Sequence, residues 1–259
     1  MLVVAERICA KLSRDGMVNS FEIKGLLELT ATNDDAALCS VQLAVGDVDS
    51  FIFQTHPKIN KQLFDKSGLL QLKDTTKGFP SQRPVGILKW THASTSDDMI
   101  PIKINCWPEE AARGQMNVSI EYSMDQRNLV LDDVRIRIPL GTHESPNIVA
   151  VDGSYKHNSQ AHELIWIIDS IDANNSTGSL EFNVSQKNSD AFFPVTGSLL
   201  TDSLTHSLTH LLTLSLVVQF RSSQLFCNVE VQTVVKADSN LPIQYSLSKS
   251  MSAEEYVVE

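Results

Sequence analysis

Residues 134–138 read VRIRI, in which Val134, Ile136 and Ile138 alternate with two arginines. Successive side chains of a β-strand point to opposite faces, so this order gives one apolar face and one charged face. The same alternation recurs in five further segments, 21–29, 39–45, 100–106, 116–122 and 180–184. Many short, half-buried strands are typical of antiparallel sheets, and the sequence therefore predicts an all-β chain.

Turn-forming pairs separate these strands. The pair Asp-Gly occurs at 15–16 and at 152–153, and Asn-Asn occurs at 174–175. A chain of 259 residues is long enough for two β-sandwiches. The polar loop 109–114 is a candidate junction between them, and residues 59–64 are the one short helical candidate in the first part of the chain.

The composition is that of a folded, acidic chain. Hydrophobic residues make up 42% of it and the formal net charge is -10, which excludes wholesale disorder and disfavours a general nucleic-acid binder. No segment has the roughly 18 apolar residues of a membrane span, and the N-terminal residues resemble a strand more than a signal peptide. We therefore expect a cytoplasmic protein, with its four cysteines reduced and in the core.

Residues 197–217 break the strand pattern with a tandem Ser-Leu-Thr-His unit. Leu200, Leu204, Leu208 and Leu212 would form an apolar stripe on a helix, which could bind a membrane surface or a partner. The favoured interpretation is an expanded repeat or translated non-coding sequence that interrupts a strand. A third possibility is that this insert disrupts packing and leaves the product without function.

A search for catalytic chemistry finds no support for an enzyme. The sequence has no nucleophile elbow, no phosphate-binding glycine loop and no paired-histidine zinc motif. His206 and His210 have the spacing of metal ligands on a helix, but no third ligand accompanies them and the repeat explains the spacing. Asp132 and Asp133 are adjacent on a strand and would point to opposite faces. We expect no catalytic residues, no metal and no cofactor.

Six short segments of the chain are distinctive: 51–57 (FIFQTHP), 85–90 (VGILKW), 100–108 (IPIKINCWP), 151–159 (VDGSYKHNS), 178–182 (GSLEF) and 192–195 (FFPV). They resemble the C-terminal mu-homology domain of the delta subunits of coatomer. Their order and spacing agree with that domain along nearly the whole chain, apart from 197–217.

The resemblance implies a mu-homology domain over residues 1–259, built from two β-sandwich subdomains with the second inserted into the first. On this chain the first subdomain would take residues 1–98 and 223–259. The second would take residues 99–222, including the atypical insert.

The resemblance also implies a function and partners. It implies a non-enzymatic module of the COPI vesicle coat, in Golgi-to-ER and intra-Golgi transport, peripheral on Golgi membranes and on coated vesicles. Its partners would be other coatomer subunits and short tryptophan-containing peptides of tethering or Arf-regulating proteins. The alternative is a cargo-binding mu-homology domain of another adaptor-like or stonin-like protein.

Three residues are candidates for the peptide surface: His56, Lys89 and Trp90. An exposed sheet edge beside aromatic and basic groups can take an extended peptide as an added strand. For Trp90, packing in the core is the favoured interpretation and contact with a peptide is the alternative. Lys58, Lys61 and Lys66 add to a basic neighbourhood in an otherwise acidic chain.

Two departures from the family pattern shape the expectations. Full-length delta subunits begin with a longin-like domain that pairs with the zeta subunit, and these residues do not contain it. Related adaptor medium chains bind tyrosine signals through an acidic residue on the first strand. The corresponding residues here, 1–5, have no such acid, so we predict no tyrosine-signal binding at that place.

Overall fold

The computed structural model describes residues 1–46, 50–186, 189–192 and 216–259. Strands account for 58% of the structure and helices for 7%, which confirms the prediction of an all-β chain. The sixteen strands are β1 Leu2–Leu12, β2 Val18–Leu29, β3 Cys39–Val45, β4 Ile52–Thr55, β5 Leu69–Leu70, β6 Val85–Ser94, β7 Lys103–Ala111, β8 Gln115–Ser123, β9 Leu131–Pro139, β10 Asn147–Val151, β11 Ser154–Asn158, β12 Glu163–Ile171, β13 Thr177–Ser185, β14 Leu216–Ser222, β15 Val229–Lys236 and β16 Leu247–Val258.

Four short helical segments connect some of these strands. They are α1 Asp34–Ala37, α2 Lys61–Ser67 and two 3-10 turns at Ala112–Gly114 and Ser189–Phe192. Helix α2 begins three residues after Pro57 at the cap Asn60 and ends at Gly68, whose φ of 71° is favourable for glycine. The short helix predicted at 59–64 is therefore present, shifted by two residues at its start and three at its end. No helix in the described ranges has the length and apolar character that crossing a membrane requires.

The chain divides into two compact units. The first unit contains Met1–Cys9, Glu22–Ser94 and Ser222–Ser252; the second contains Ala10–Phe21, Thr95–Arg221 and Ala253–Glu259. The long strands β1, β2 and β16 each contribute residues to both units. The subdomain bounds that the sequence suggested, 1–98 with 223–259 and 99–222, stay a prediction.

In the first unit, one sheet has the strand order β15-β3-β5 and another ends in the order β2-β6-β4. Strand β3 pairs antiparallel with β15, from Cys39 opposite Lys236 to Val45 opposite Val229. The core-facing side chains follow the alternation of the sequence. Leu2, Val4 and Ile8 of β1 are buried, as are Leu88 and Trp90 of β6.

In the second unit, a four-stranded sheet has the order β10-β13-β8-β7. The loop after β7, which the sequence suggested as a junction between sandwiches, instead joins the hairpin of β7 and β8, in which Ala111 pairs with Gln115. That junction prediction is wrong, because polar loops at hairpin ends and at domain borders have the same composition.

Aromatic side chains anchor the core of the second unit. Trp166 is completely buried, donates its indole N–H to the Asp152 carbonyl oxygen at 2.7 Å, and lies 5.4 Å from the Tyr122 ring. Tyr256 is also buried and donates its hydroxyl to the Ile102 carbonyl oxygen. The prediction that Trp166 packs in the core is confirmed.

Burial also determines the chemistry of the cysteines. Cys39 and Cys106 are buried, and burial raises the pKa of the Cys39 thiol to about 11 and that of Cys106 to about 12. Thiols with such pKa values are protonated at neutral pH and are poor nucleophiles. These two cysteines act as small apolar core residues.

Most of the insert predicted at 197–217 lies outside the described residues, as do Leu200, Leu204, His206, Leu208, His210 and Leu212. Its last two residues, Leu216 and Val217, belong to β14. Leu216 is completely buried and Val217 pairs with Arg137 of β9. These two residues are thus part of the sheet.

Candidate functional site

Strand β4 forms one end of its sheet in the first unit. It pairs antiparallel with β6, with Phe53 opposite Trp90 and Gln54 opposite Lys89. Residues directly opposite each other share a face of the sheet. Phe53 and Trp90 therefore point to one side of the sheet, and Gln54 and Lys89 point to the other.

Trp90 lies completely inside the first unit. Its ring is 6.4 Å from that of Phe53, and its indole N–H donates to Oε1 of Glu6 at 2.9 Å. The ring also covers Gly25 of β2 so closely that a Cβ atom at that position would overlap it. A glycine at position 25 is thus required by the close approach of the indole.

Glu6 is a buried carboxylate in an otherwise apolar row of β1, with an exposed fraction of 1%. It accepts three hydrogen bonds, from the Trp90 indole and from the backbone N–H groups of Phe226, at 2.7 Å, and Cys227, at 3.0 Å. Desolvation raises the pKa of the Glu6 carboxyl above its usual range, and the three hydrogen bonds oppose that rise. Through these hydrogen bonds the Glu6 carboxylate links β1 to β6 and to residues 226–227, which precede β15.

A groove of about 570 Å³ lies beside the C-terminal end of β4, and we call it the basic groove. His56 and Pro57, which directly follow β4, form part of its wall. Its other lining residues include three apolar side chains, Leu72, Phe79 and Val85, and three lysines, Lys58, Lys73 and Lys77. An apolar surface with a cationic border suits a ligand that is both apolar and acidic.

The cations of the basic groove differ in their contacts. Lys77 pairs with Asp74 at 3.0 Å, and Nζ of Lys73 donates to the Pro57 carbonyl oxygen at 2.9 Å. Lys58 is exposed and has no ion pair among the described residues. Three lysines and one aspartate among its described lining residues give the groove an excess of two positive charges, in a chain of net charge -10.

A second groove, of about 550 Å³, lies beside the N-terminal end of β4, and we call it the aromatic groove. Phe51, Phe53 and Phe64 line it, together with Asp65 and Lys66 of α2. The Phe53 ring lies 6.5 Å from that of Phe51 and 6.0 Å from that of Phe64. Among its described lining residues, one aspartate and one lysine balance each other in charge.

The structure does not bring the three predicted site residues to one surface. His56 is half-buried and lines the basic groove, whereas Lys89 is exposed on the face opposite Trp90. No atom of Trp90 reaches solvent, so a bound peptide would meet it only through the residues that cover it. The role of His56, Lys89 and Trp90 in peptide binding stays a prediction.

Sequence reasoning missed most of the lining of the two grooves. The signal for the aromatic groove was the pair Phe51 and Phe53, whose spacing of two places them on one face of a strand. Nothing in the sequence links them to Phe64, which lies on α2, or joins Lys73 and Lys77, which lie in the loop after β5, to His56.

The described residues hold no group of three histidine, cysteine or acidic side chains that could bind a metal. Of the adjacent acids Asp132 and Asp133, Asp133 forms ion pairs with Arg135, at 2.8 Å, and with Arg221, at 2.6 Å. These guanidinium groups lower the pKa of the Asp133 carboxyl. Asp133 is thus a structural ion-pair partner, with no reacting group among its contacts.

An edge strand with an apolar-walled groove beside each end suits the binding of an extended peptide. The chain belongs to the adaptor complexes medium subunit family, whose sequence profile matches residues 1–259. Within that family it is similar to coatomer delta subunits, which confirms the resemblance seen in its sequence.

Two curated relatives show how far this similarity extends. The chain is 32% identical over 253 residues to the probable coatomer subunit delta of Caenorhabditis elegans, covering 98% of this chain and 45% of that protein. It is 34% identical over 262 residues to the coatomer subunit delta of Dictyostelium discoideum, covering 100% of this chain and 43% of that protein. The chain thus spans a little under half the length of these relatives.

Solved structures agree with this assignment. The yeast delta-COP-I mu-homology domain complexed with a Dsl1 WxWxV peptide matches with a TM-score of 0.78 and 27% identity, over 100% of this chain and 97% of that one. A second structure of the yeast delta-COP-I mu-homology domain matches with a TM-score of 0.79 and 26% identity, over the same shares of both chains. The fold predicted from the resemblance, a mu-homology domain, is confirmed.

Proposed function

We propose that this chain is the peptide-binding module of a vesicle-coat subunit, the delta subunit of COPI coatomer. In this role it binds short tryptophan-containing motifs of tethering or Arf-regulating proteins and catalyses no reaction. It works on the cytoplasmic side of Golgi membranes, attached through the other coatomer subunits, in Golgi-to-ER and intra-Golgi transport.

One observation supports peptide binding most strongly. The yeast domain that matches along the whole of this chain was solved with a WxWxV peptide of Dsl1. The first unit has the features such a ligand needs, namely an edge strand and two grooves with apolar walls. Each groove is larger than an indole side chain.

The chemistry of the ligand accounts for the affinity we expect. An indole that enters an apolar groove removes about 150–250 Å² from water, the largest such contribution of any side chain. Ordering a disordered peptide costs several kcal/mol, so we expect dissociation constants in the micromolar range, about 1–100 μM. Lysines at the groove border would mainly increase the association rate of acidic peptides.

Isothermal titration calorimetry tests this proposal. A peptide with the pattern Trp-x-Trp-x-Val should bind, and the same peptide with both tryptophans replaced by alanine should not.

Lys89→Glu tests the exposed face of β6, and Lys61→Glu on α2 is its matched control. Trp90→Phe keeps a buried ring but removes the indole N–H. Equal affinity of all three variants and the original chain would remove Lys89 and Trp90 from the site. Absence of tryptophan-dependent binding to the original chain would contradict the proposed function.

A cargo-binding role in another adaptor remains the alternative hypothesis. The Fcho1 mu-homology domain of Danio rerio, with a bound Eps15 peptide, has a TM-score of 0.63 but only 17% identity, so this likeness concerns the fold alone. Pulldown with segments of tethering complexes and with cargo tails would distinguish the two roles. Retention of cargo tails alone would favour the alternative.

A further inference from the structure

The hydrogen-bonding pattern of β4 determines which of its backbone groups are available. The N–H of His56 donates to the Ile87 carbonyl oxygen at 3.1 Å, in register with the four residue pairs of β4 and β6. Hydrogen-bonded and non-hydrogen-bonded pairs alternate in an antiparallel ladder. Gln54 and Ile52 therefore bond to β6, whereas the N–H and C=O groups of Phe53 and Thr55 point away from it.

No described strand pairs with that outward edge, since β4 is the last strand of its sheet. Natural proteins usually protect such edges with charged residues, prolines or covering loops. Strand β4, Ile52–Thr55, contains no charged residue and no proline, and Ile52 is 76% exposed. An uncharged edge with free backbone groups is suited to accept another strand.

The two grooves lie at opposite ends of this edge. The aromatic groove includes Phe51 and Phe53, and the basic groove includes His56 and Pro57. A strand advances about 3.3 Å per residue, so the grooves are roughly 10–20 Å apart along β4. A peptide extended along the edge would reach both with apolar side chains about three to six residues apart.

The grooves also differ in charge, and this difference would orient a bound peptide along β4. Counted over the described lining residues, the basic groove has three lysines and one aspartate, whereas the aromatic groove has one lysine and one aspartate. Acidic residues of a ligand are therefore attracted to the end of β4 at His56. The uncharged, ring-lined end favours an aromatic side chain.

We propose that the partner peptide binds as an additional strand on the outer edge of β4, with one apolar anchor in each groove. Its acidic residues lie at the basic groove, next to Lys58. This inference rests on the proposed function and specifies the binding mode, the anchor spacing and the charge of the partner. The peptide of the yeast complex fits the spacing, because its first tryptophan and its valine are four residues apart.

Thr55→Pro tests the added strand directly. Proline removes the outward N–H of residue 55 and is tolerated on an edge strand where that N–H does not bond within the sheet. Thr55→Val is the matched control, because it keeps the N–H and the size of the side chain. We expect Thr55→Pro to weaken binding of a Trp-x-Trp-x-Val peptide about tenfold and Thr55→Val to leave it within about twofold. Hydrogen exchange should show protection of the Phe53 and Thr55 amides when peptide is bound.

Lys58→Glu tests the charge of the basic groove. Its control is Lys61→Glu, which makes the same change on α2 outside the groove. With a peptide carrying two acidic residues, Lys58→Glu should weaken binding about three- to tenfold, and with its serine analogue the effect should vanish. The Lys61→Glu variant should bind both peptides as the original chain does.

The outcomes separate this inference from the proposed function. If the original chain binds the tryptophan peptide but Thr55→Pro and Thr55→Val bind it equally well, the added strand is wrong. If Lys58→Glu and Lys61→Glu behave alike towards the acidic peptide, the charge assignment is wrong. If Thr55→Pro instead changes the oligomeric state in size-exclusion chromatography, the edge pairs with a second copy and the peptide mode is overturned. If a variant has a lowered melting temperature, its peptide affinity is not used. Hydrogen exchange of the Phe53 and Thr55 amides in the original chain, with and without peptide, then tests the added strand.

Discussion

The indole N–H of Trp90 donates to the carboxylate of Glu6 at 2.9 Å, and both side chains are buried in the first unit. The two residues are 84 positions apart in the chain. The same carboxylate accepts the backbone N–H groups of Phe226 and Cys227, so one side chain serves three donors from two other segments. Buried charges are tolerated in proteins when hydrogen bonds of this kind compensate for lost water.

Replacement of Glu6 should therefore be costly. Glu6→Leu removes the acceptor of three donors, two of them in buried hydrogen bonds, and we expect the free energy of unfolding to fall by about 3–5 kcal/mol. Glu6→Gln keeps one acceptor oxygen and should cost less, about 1–2 kcal/mol. Urea denaturation followed by tryptophan fluorescence measures both. Glu28→Gln, on a half-exposed position of β2, is the control and should change stability by less than about 0.5 kcal/mol. A Glu6→Leu variant as stable as the original chain would contradict this account of the site.

The raised pKa of Glu6 predicts the sign of a pH effect. Because the pKa of the carboxyl is higher in the folded state than its unfolded value of 4.5, the folded state binds this proton more tightly. Stability from this group is present at low pH and falls as the pH rises from about 4.5 through the folded pKa. The free energy of unfolding of Glu6→Gln, measured from pH 4 to pH 8, should lack this fall. Parallel pH profiles of the two chains would show that Glu6 does not cause it.

Gly25 should be almost irreplaceable, since a Cβ atom there would overlap the Trp90 ring. We expect Gly25→Ala to lower the free energy of unfolding by about 3 kcal/mol. Gly86→Ala is a suitable control on β6, because its Cβ would meet only the flexible end of Leu26, at 2.9 Å. A double-mutant cycle with Trp90→Leu should show strong coupling, as the smaller side chain leaves room for the methyl group. Strictly additive effects would show that the ring does not cause the cost.

The sequence predicted most of the strands, but for the site it indicated only a sheet edge with nearby aromatic and basic residues. Alternation alone identifies β8, β9 and β13, because each has one buried and one exposed face. The burial of Glu6 in the row of Leu2, Val4 and Ile8, and the donors that compensate for its charge, are seen only in the structure. Those donors come from residues 84 to 221 positions away, and no local pattern specifies such pairs.

The grooves show the same limit. Phe51 and Phe53 are visible as a strand pair in the sequence, and the basic residues near His56 are visible as a cluster. The loop after β5 places Lys73 and Lys77 at the wall of the basic groove, whereas Lys61 and Lys66 lie on α2 and are not among its lining residues. Short-range patterns predict elements, whereas surfaces assembled from several loops require the tertiary structure.

Tyrosine-based sorting signals should not bind at β1. The family resemblance places the acid-bearing position of related medium chains within residues 1–5, which contain no aspartate or glutamate. The acid that follows on β1, Glu6, is buried and already accepts three hydrogen bonds from Trp90, Phe226 and Cys227. A buried tyrosine hydroxyl without an acceptor costs about 1–3 kcal/mol, enough to remove a weak interaction. Titration with a Tyr-x-x-Leu peptide should give no heat above that of its alanine analogue. Affinity for the tyrosine peptide that disappears on mutation of residues 1–5 would refute this prediction.

Two deletions that differ by two residues test where the Ser-Leu-Thr-His insert ends and the part of the chain needed for the fold begins. Leu216 and Val217 belong to β14, where Leu216 is buried and Val217 pairs with Arg137. If the repeat interrupts a strand region without contributing to the core, deletion of residues 197–215 should keep the circular dichroism spectrum and the melting temperature. Deletion of residues 197–217 removes a fully buried leucine as well, and we expect it to lower the free energy of unfolding by about 2–5 kcal/mol relative to the shorter deletion. Equal melting of the two variants would show that β14 does not need its first two residues. A large loss in the shorter deletion would show that the repeat itself supports the fold.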